Sequence, residues 1–330
     1  MNSFGRIFRI SIFGESHGLS AGILIDGVPA GLPLCDEDFE KDNERRRSGA
    51  KGTTPRKEAD KVKILSGVFN GTTTGAPVLL LFENTNTRSS DYSKFTAIPR
   101  PGHADFTSSV KFGGFNDYRG GGHFSGRLTL GIVAAGVIAK KLLNNITINA
   151  SLIEAGGMKD IEGAVNTALQ EGDSIGGMIE CRVNGLPAGL GEPFFDSVES
   201  LISHMIFAIP AIKGIEFGSG FSAAGMKGSE HNDNIISPEG KTETNHAGGI
   251  NGGLTNGNEL IFKIAVKPTS SISGTQRTIN MQTKEMTDLQ VEGRHDTCIA
   301  LRVPVVAEAA TAIVLADLMM LENKIQRIIK

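Results

Sequence analysis

Metal-ligand spacings are missing from this chain. It has no H-x-x-x-H, no C-x-x-C and no carboxylates clustered at ligand spacing, so metal-assisted hydrolysis has little support. No G-x-S-x-G nucleophile elbow stands out, and hydrolysis by a serine triad falls with it. Cysteine is scarce: Cys35, Cys181 and Cys298 are far apart and odd in number. That pattern fits reduced thiols in a cytosolic protein better than a disulfide frame or a zinc site. No charge of one sign dominates. Lys and Arg number 33 against 36 Asp and Glu, a net charge of −3, which does not suggest a nucleic-acid or membrane-surface binder. The longest apolar stretch, Leu128 to Ala139, is too short to span a bilayer, and Met1 to Arg6 lacks a signal-peptide apolar region. The expectation is a soluble, cytoplasmic protein without a nucleic-acid or membrane partner.

Glycine, in contrast, is abundant: 42 in 330 residues, against a usual share of about 7%. The glycines cluster, which implies close backbone approaches and several loops meeting at one site. Histidines stand in those clusters, in Gly14-Glu15-Ser16-His17-Gly18, in Arg100-Pro101-Gly102-His103-Ala104-Asp105 and in Gly293-Arg294-His295-Asp296. A fourth, His123, follows Arg119-Gly120-Gly121-Gly122. Arginine grips phosphate and carboxylate in a fixed fork, and imidazole moves protons near neutral pH. Together they point to acid–base chemistry on a small, heavily anionic substrate. Arg45, Arg46 and Arg47 would ordinarily be a solvated helix end. Their weight rises because Lys51, Arg100, Arg127 and Arg294 offer further cations in loops.

Periodicity predicts strands at Phe8–Phe13, Gly22–Asp26, Val62–Phe69, Val78–Glu83, Met178–Val183 and Leu260–Val266. A polar helix is expected over Asp36 to Arg47, with acids early and arginines late. Leu128 to Leu143 and Val305 to Leu321 are apolar nearly all round, as in helices buried on most sides. Asp196 to Glu199 has the form of a capping box before an amphipathic helix. Residues 84–127 read as almost all loop, and long ordered loops are usually functional. No linker divides the chain, and helices and strands alternate without a βαβ rhythm, so a single α+β domain over residues 1–330 is favoured. Two motifs are decoys. Gly218 to Ala223 has the dinucleotide spacing but runs on into loop where a Rossmann site needs a helix. Gly240-Lys241-Thr242 lacks the first P-loop glycine and is a turn. His204 reads as surface decoration; His231 and His246 stay undecided.

Taken together, these motifs resemble the chorismate synthase family. The resemblance rests on Gly14 to Gly18 with Asp26-Gly27-Val28-Pro29, on Arg100 to Asp105, Asp117 to Gly122, Asn245 to Ile250, Lys267 to Ser271 and Gly293 to Asp296. It runs in order from about residue 5 to 320. It implies a β–α–β sandwich with antiparallel sheets flanking buried core helices, a homotetramer, and a lyase using reduced FMN. The reaction implied is 1,4-elimination of phosphate from 5-enolpyruvylshikimate 3-phosphate to give chorismate. The phosphate alone carries about −1.5 to −2 charges, so several cations must converge, and Arg45, Arg46, Lys51, Arg100 and Arg127 are the candidates. The resemblance puts His17 at the departing phosphate as general acid and His103 beside the flavin. It assigns Ser125 and Asp296 to relay of the C6 proton. Flavin contacts are expected from His123, Phe124, Ser125, Pro210, Ala211, Gly252, Lys267, Pro268, Thr269, Ser270, Ser271 and Arg294. Members that reduce their own flavin place NADPH near the residue matched by Arg46. The chain departs from the family pattern at His123-Phe124, where Arg-Ser is common, and at Pro210, where an amide side chain often stands. A non-catalytic binder of phosphorylated anions would explain the arginines but not His17, His103 and Asp296. A phosphatase would lack its metal set or nucleophile.

Overall fold

Alternating apolar residues build the sheets. Leu260–Val266 buries every second side chain, and Val78–Glu83 follows the same period, as strands with one face on a core do. The computed structural model describes residues 1–54, 58–85, 89–292, 295–325 and 328. One antiparallel sheet has five strands in the order Ser3–Phe4, Arg9–Gly14, Ser20–Asp26, Val78–Glu83, Val62–Ser66. A second has four, in the order Ile212–Phe217, Leu260–Val266, Gly177–Asn184, Thr147–Ala155. The expected strand over Val62–Phe69 is broken. Its ladder shifts register between Ile64 and Ser66, and Gly67 turns through a φ of 85°, so Val68–Phe69 pairs elsewhere.

The helices are α1 (Glu40–Arg46), α2 (Asp105–Phe112), α3 (Thr129–Leu142), α4 (Ile161–Glu171), α5 (Val198–Phe207), the single turn α6 (Gly228–His231) and α7 (Val303–Leu321). Helix α3 lies on the five-stranded sheet, α7 on the four-stranded one, and the two pack on each other. The result is the β–α–β sandwich that the resemblance implied. The crossing needs a glycine: a Cβ on Gly136 would stand 2.3 Å from that of Ala309. The run Ile299–Leu321 is long and apolar enough to cross a membrane, yet 78% of an 18-residue window within it is buried inside the protein, as in a core helix. Its carboxylates are committed. Asp317 Oδ1 accepts the backbone N–H of Ile7 and Phe8 at 2.7 and 2.9 Å, tying the chain's first strands to the core.

Two expectations need correction. Residues 84–127 are not mostly loop, since they hold α2 and 3-10 turns at Ser89–Thr96 and Arg119–Phe124. The cap of α5 is Ser197, whose hydroxyl accepts from Ser200 N at 3.1 Å, one residue later than the box read from sequence. The strand Thr147–Ala155 and α4 had no clear periodic signal. After Ile212–Phe217 the Gly218 loop presses onto the His246 carbonyl and winds into a 3-10 turn, so no helix receives a dinucleotide there.

Candidate active site

Phe39 at the cap of helix α1, and Asn43 and Arg46 within it, are buried, at positions four and three residues apart that share one face. That phase turns Arg46 inward, 2% exposed. Its Nε donates to Thr129 Oγ1 at 3.0 Å and its Nη2 to the Gly126 carbonyl at 3.3 Å. Asp60 pairs with it at 3.4 Å and with Arg127 at 2.9 Å. Asp60 holds this bridge from a left-handed backbone, φ 49°, a strained position for a residue with a side chain. Arg127 also donates through Nε to Asn84. Arg302 donates to the Arg46 carbonyl at 2.9 Å and pairs with Asp296 at 3.4 Å. These groups wall a cavity of about 230 Å³. Burial pushes the Arg46 pKa down to about 9, with repulsion from Arg302 and Arg127 working against the attraction of Asp60. The cavity thus sets three guanidiniums close together with Asp60 shared between two of them, and Glu58 and Glu292 also line it.

The structure does not bring the other expected cations there. Arg45 turns the opposite way and forms a bidentate pair with Glu308, 2.7 Å on both arms, because one residue along a helix rotates the side chain by about 100°. Lys51 is exposed and lines neither this cavity nor the next. Arg100 is held by Asp105 through two 2.8 Å bonds and by Ser271 at 3.1 Å, so it orients its own loop rather than walling this cavity. The solvated-helix-end reading fails for Arg46 and fits Arg47 only in part, since Arg47 donates to the Ala59 carbonyl.

His17 stands over the arginine cavity, 7% exposed, with its ring edge-on to Tyr92 at 5.0 Å. The turn Gly120–Gly122 packs against it in left-handed backbone. A Cβ on Gly120 would come within 2.4 Å of the imidazole, so only glycine lets this turn close on the histidine. Asp296 lines the same cavity, and its Oδ1 accepts Thr54 N–H at 2.9 Å.

A second cavity of about 640 Å³ lies alongside. Ser125, Gly126 and Pro210 line both. Ile10, Ile12, Ile132 and Met205 give it an apolar wall, and Lys267 to Ser271 form a polar lip. His103 lines it with Nδ1 2.6 Å from Asp105 Oδ1 and 3.1 Å from Arg100 Nη2. A guanidinium has no acceptor, so the Nδ1 proton goes to Asp105, which leaves Nε2 beside Gly121. Burial opposes the Asp105 charge, but Arg100 and His103 outweigh it and hold that carboxyl well below the usual range. On the lip, Lys267 Nζ donates to Ser270 Oγ at 2.7 Å, and Ser270 Oγ to the Gly102 carbonyl at 2.7 Å. Burial, then Lys213, lowers the Lys267 pKa. Thr269 Oγ1 is buried with no hydrogen-bond partner among the described residues.

His123, Phe124, Pro210, Ala211 and Pro268 also line the larger cavity. His123 is anchored through Nδ1, which donates to the Gly14 carbonyl at 2.8 Å. Ala211 takes a left-handed φ of 75° and accepts Lys267 N–H at 2.9 Å. Gly252 is not brought there: it sits in the turn of the hairpin Ile250–Asn251 and Leu254–Thr255 and lines neither cavity. Arg294 lies outside the described residues. His204, expected as surface decoration, is exposed but stands edge-on to Phe4 at 5.3 Å on the rim of the larger cavity. A large apolar slot with an unpaired hydroxyl and a lysine on one lip fits a flat ring carrying a phosphate tail. Asp60, Asn84, Arg302 and Tyr92 also shape the site and were not singled out from sequence, whereas His295, from the Gly293 to Asp296 motif, lines the arginine cavity. Among the described residues, no group of three or more His, Cys, Asp and Glu could hold a metal ion.

The model of the family described as chorismate synthase matches residues 8–320. A chorismate synthase of Chitinophaga pinensis is 63% identical over 331 residues, covering all of both chains. One of Dehalococcoides mccartyi is 48% identical over 361 residues, covering 100% of this chain and 99% of its own. A crystal structure of chorismate synthase has the same fold, with a TM-score of 0.75 at 25% identity, covering 98% of this chain and 95% of that one.

Proposed function

The chain belongs to the chorismate synthase family, which catalyses the last step of the shikimate pathway, and from that premise we propose how its two cavities divide the work. The arginine cavity receives 5-enolpyruvylshikimate 3-phosphate, and the larger cavity holds reduced FMN. The observation that carries this is the shared wall at Ser125, Gly126 and Pro210, which sets a cation-crowded space beside an apolar slot. Burying a phosphate and two carboxylates without paired cations would be prohibitive. Arg46 and Arg127 are already desolvated, and Arg302 is held by Asp296 and the Arg46 carbonyl, so little reorganisation is left for binding.

Bound reduced FMN supplies the electron density that lets an allylic phosphate leave without net redox change. The chain's residues do the rest. His17 donates a proton or hydrogen bond to the departing phosphate as the C3–O bond breaks. Asp296 and Ser125 pass on the proton lost from C6. His103, with Nδ1 fixed on Asp105, borders the slot and would set the protonation of a reduced flavin held there. Lys267 and Thr269 on the lip hold the flavin phosphate and ribityl chain, and Phe124 and Pro210 close against the ring. We place the enzyme in the cytoplasm as a homotetramer acting on a small molecule alone, with NADPH as a candidate source of reducing equivalents.

Anaerobic phosphate release tests the reading. Release is expected with dithionite-reduced FMN and not with oxidised FMN. Equal release with oxidised flavin would overturn it in favour of a phosphatase. A third arm, NADPH with oxidised FMN, shows whether the chain reduces its own flavin.

A further inference from the structure

The walls of the arginine cavity are rich in donors, and the proposed substrate is almost entirely acceptor. Its phosphate, two carboxylates and enol ether oxygen accept hydrogen bonds. Its one donor at neutral pH is the ring hydroxyl on C4, between the phosphate carbon and the enolpyruvyl carbon. A hydroxyl taken from water into a closed cavity without an acceptor loses its hydrogen bond outright.

Most acceptors on the walls are engaged. Asp60 holds Arg46 and Arg127. Asp296 accepts from Thr54 and Arg302. Glu58 Oε2 accepts from Thr85 Oγ1 at 2.9 Å, and Glu292 is exposed at the rim. His295 differs. Its Nε2 is buried with no hydrogen-bond partner among the described residues, and the residue lines the arginine cavity. Its other nitrogen is bonded to the Glu292 backbone. The Glu292 carbonyl can only accept, so Nδ1 carries the proton and Nε2 offers a lone pair.

Resting on the substrate reading above, we infer that His295 reads the C4 hydroxyl of the substrate, accepting its hydrogen bond at Nε2 and so fixing the ring's register against His17. The neutral form is also the favoured one: burial lowers the imidazole pKa, and the Glu292 bond only partly opposes this. The arginines hold the anionic groups, but charge alone does not choose between ring orientations that exchange them. A single buried acceptor does choose, because a site built to bond a hydroxyl discriminates against the analogue lacking it.

The test compares 5-enolpyruvylshikimate 3-phosphate with its 4-deoxy analogue, by anaerobic phosphate release with reduced FMN, in the wild-type enzyme, His295→Phe and His295→Gln. Wild type should prefer the hydroxyl substrate by roughly 10- to 100-fold in kcat/KM. His295→Phe should lose that preference, with the fall confined to the hydroxyl substrate. His295→Gln, which keeps an acceptor, should recover most of it. A merely structural role would lower both substrates alike, and that result overturns the inference. So does a preference retained in His295→Phe, or one that His295→Gln fails to restore while its thermal unfolding matches wild type. Wild type without flavin-dependent turnover of the hydroxyl substrate would instead overturn the elimination reading, and this inference with it.

Discussion

Two ion networks meet at α1, one through Arg45 and the other through its neighbour Arg46. The first is closed. Arg45 and Lys140 face Asp42 and Glu308 at 2.7 to 3.5 Å, two cations against two carboxylates, and the Ala150 N–H fills a further lone pair of Glu308 at 3.0 Å. The second is open. Arg46, Arg127 and Arg302 face Asp60 and Asp296 across a cavity. The same residue type at consecutive positions thus serves two ends. A neutral, fully bonded network orders the helices it joins, whereas one in which three guanidiniums share two carboxylates beside empty space is prepared for an anion.

The largest expected effects come from the histidines beside the open side. His17→Ala and His103→Ala should each lower turnover by about 10²–10⁴-fold, the usual worth of acid–base assistance, while thermal unfolding stays near wild type. The two should also separate. His103 borders the larger cavity, so its variant should change the pH dependence of the spectrum of bound reduced FMN, and His17→Ala should not. Near-normal turnover in both would make the histidines bystanders and leave the open network without chemistry.

Breaking the closed network should do the reverse. Glu308→Gln should cost about 2–3 kcal/mol of stability, less than a fully buried pair because Arg45 is partly in water. Turnover per folded molecule should hold. Acid sharpens the contrast. Burial works against the Glu308 charge, but Arg45 and Lys140 prevail and lower its pKa from 4.5. A carboxylate with a depressed folded pKa adds stability that is present above its unfolded value and lost as pH falls through the folded one. Urea unfolding between pH 6 and 3 should therefore show a shallower acid loss in Glu308→Gln than in wild type. An equal loss would mean that the network contributes nothing measurable.

The closed and open regions were not equally legible in the sequence. Helices α3 and α7 announce themselves, because an all-round apolar run has few fates other than burial. The histidine loops are legible too, since glycine, arginine and imidazole together have no use in a core. Arg45 and Arg46 were not separable by motif, although the apolar partner at Phe39 marks the face that Arg46 shares. Asp60 carries no signal at all. It sits in a polar stretch, and its role comes from a backbone turn and two arginines, one of them 67 residues away. Helix α2 escaped because Asp-Phe-Thr-Ser-Ser-Val-Lys-Phe is short and only weakly patterned between glycine-rich loops.

Arg127→Ala attacks the open network directly. It should weaken substrate binding by about 1.5–3 kcal/mol, the range for a hydrogen bond to a charged group, and it should also lower the unfolding midpoint, because buried Asp60 loses its 2.9 Å partner. Titration of the flavin-loaded enzyme with substrate under anaerobic conditions measures it. Unchanged affinity would give Arg127 a structural role, alongside Arg45.

The smallest effect is the most direct probe of the open network. Inorganic phosphate should stabilise the flavin-free chain, because an anion that enters the open network binds the folded state alone. At ten times its Kd it adds about 1.4 kcal/mol, a rise of about 2 °C in the unfolding midpoint for a chain of this size. Sodium chloride at matched ionic strength should not reproduce the shift, since screening alone supplies no ligand. Arg127→Ala removes one of the cavity's three cations and should lose most of the rise. Glu308→Gln starts from a lower midpoint yet should keep the full increment, since its network lies outside the cavity. An increment equal in wild type and Arg127→Ala would place the phosphate elsewhere on the surface, and the contrast between the closed and open networks would then have no energetic content.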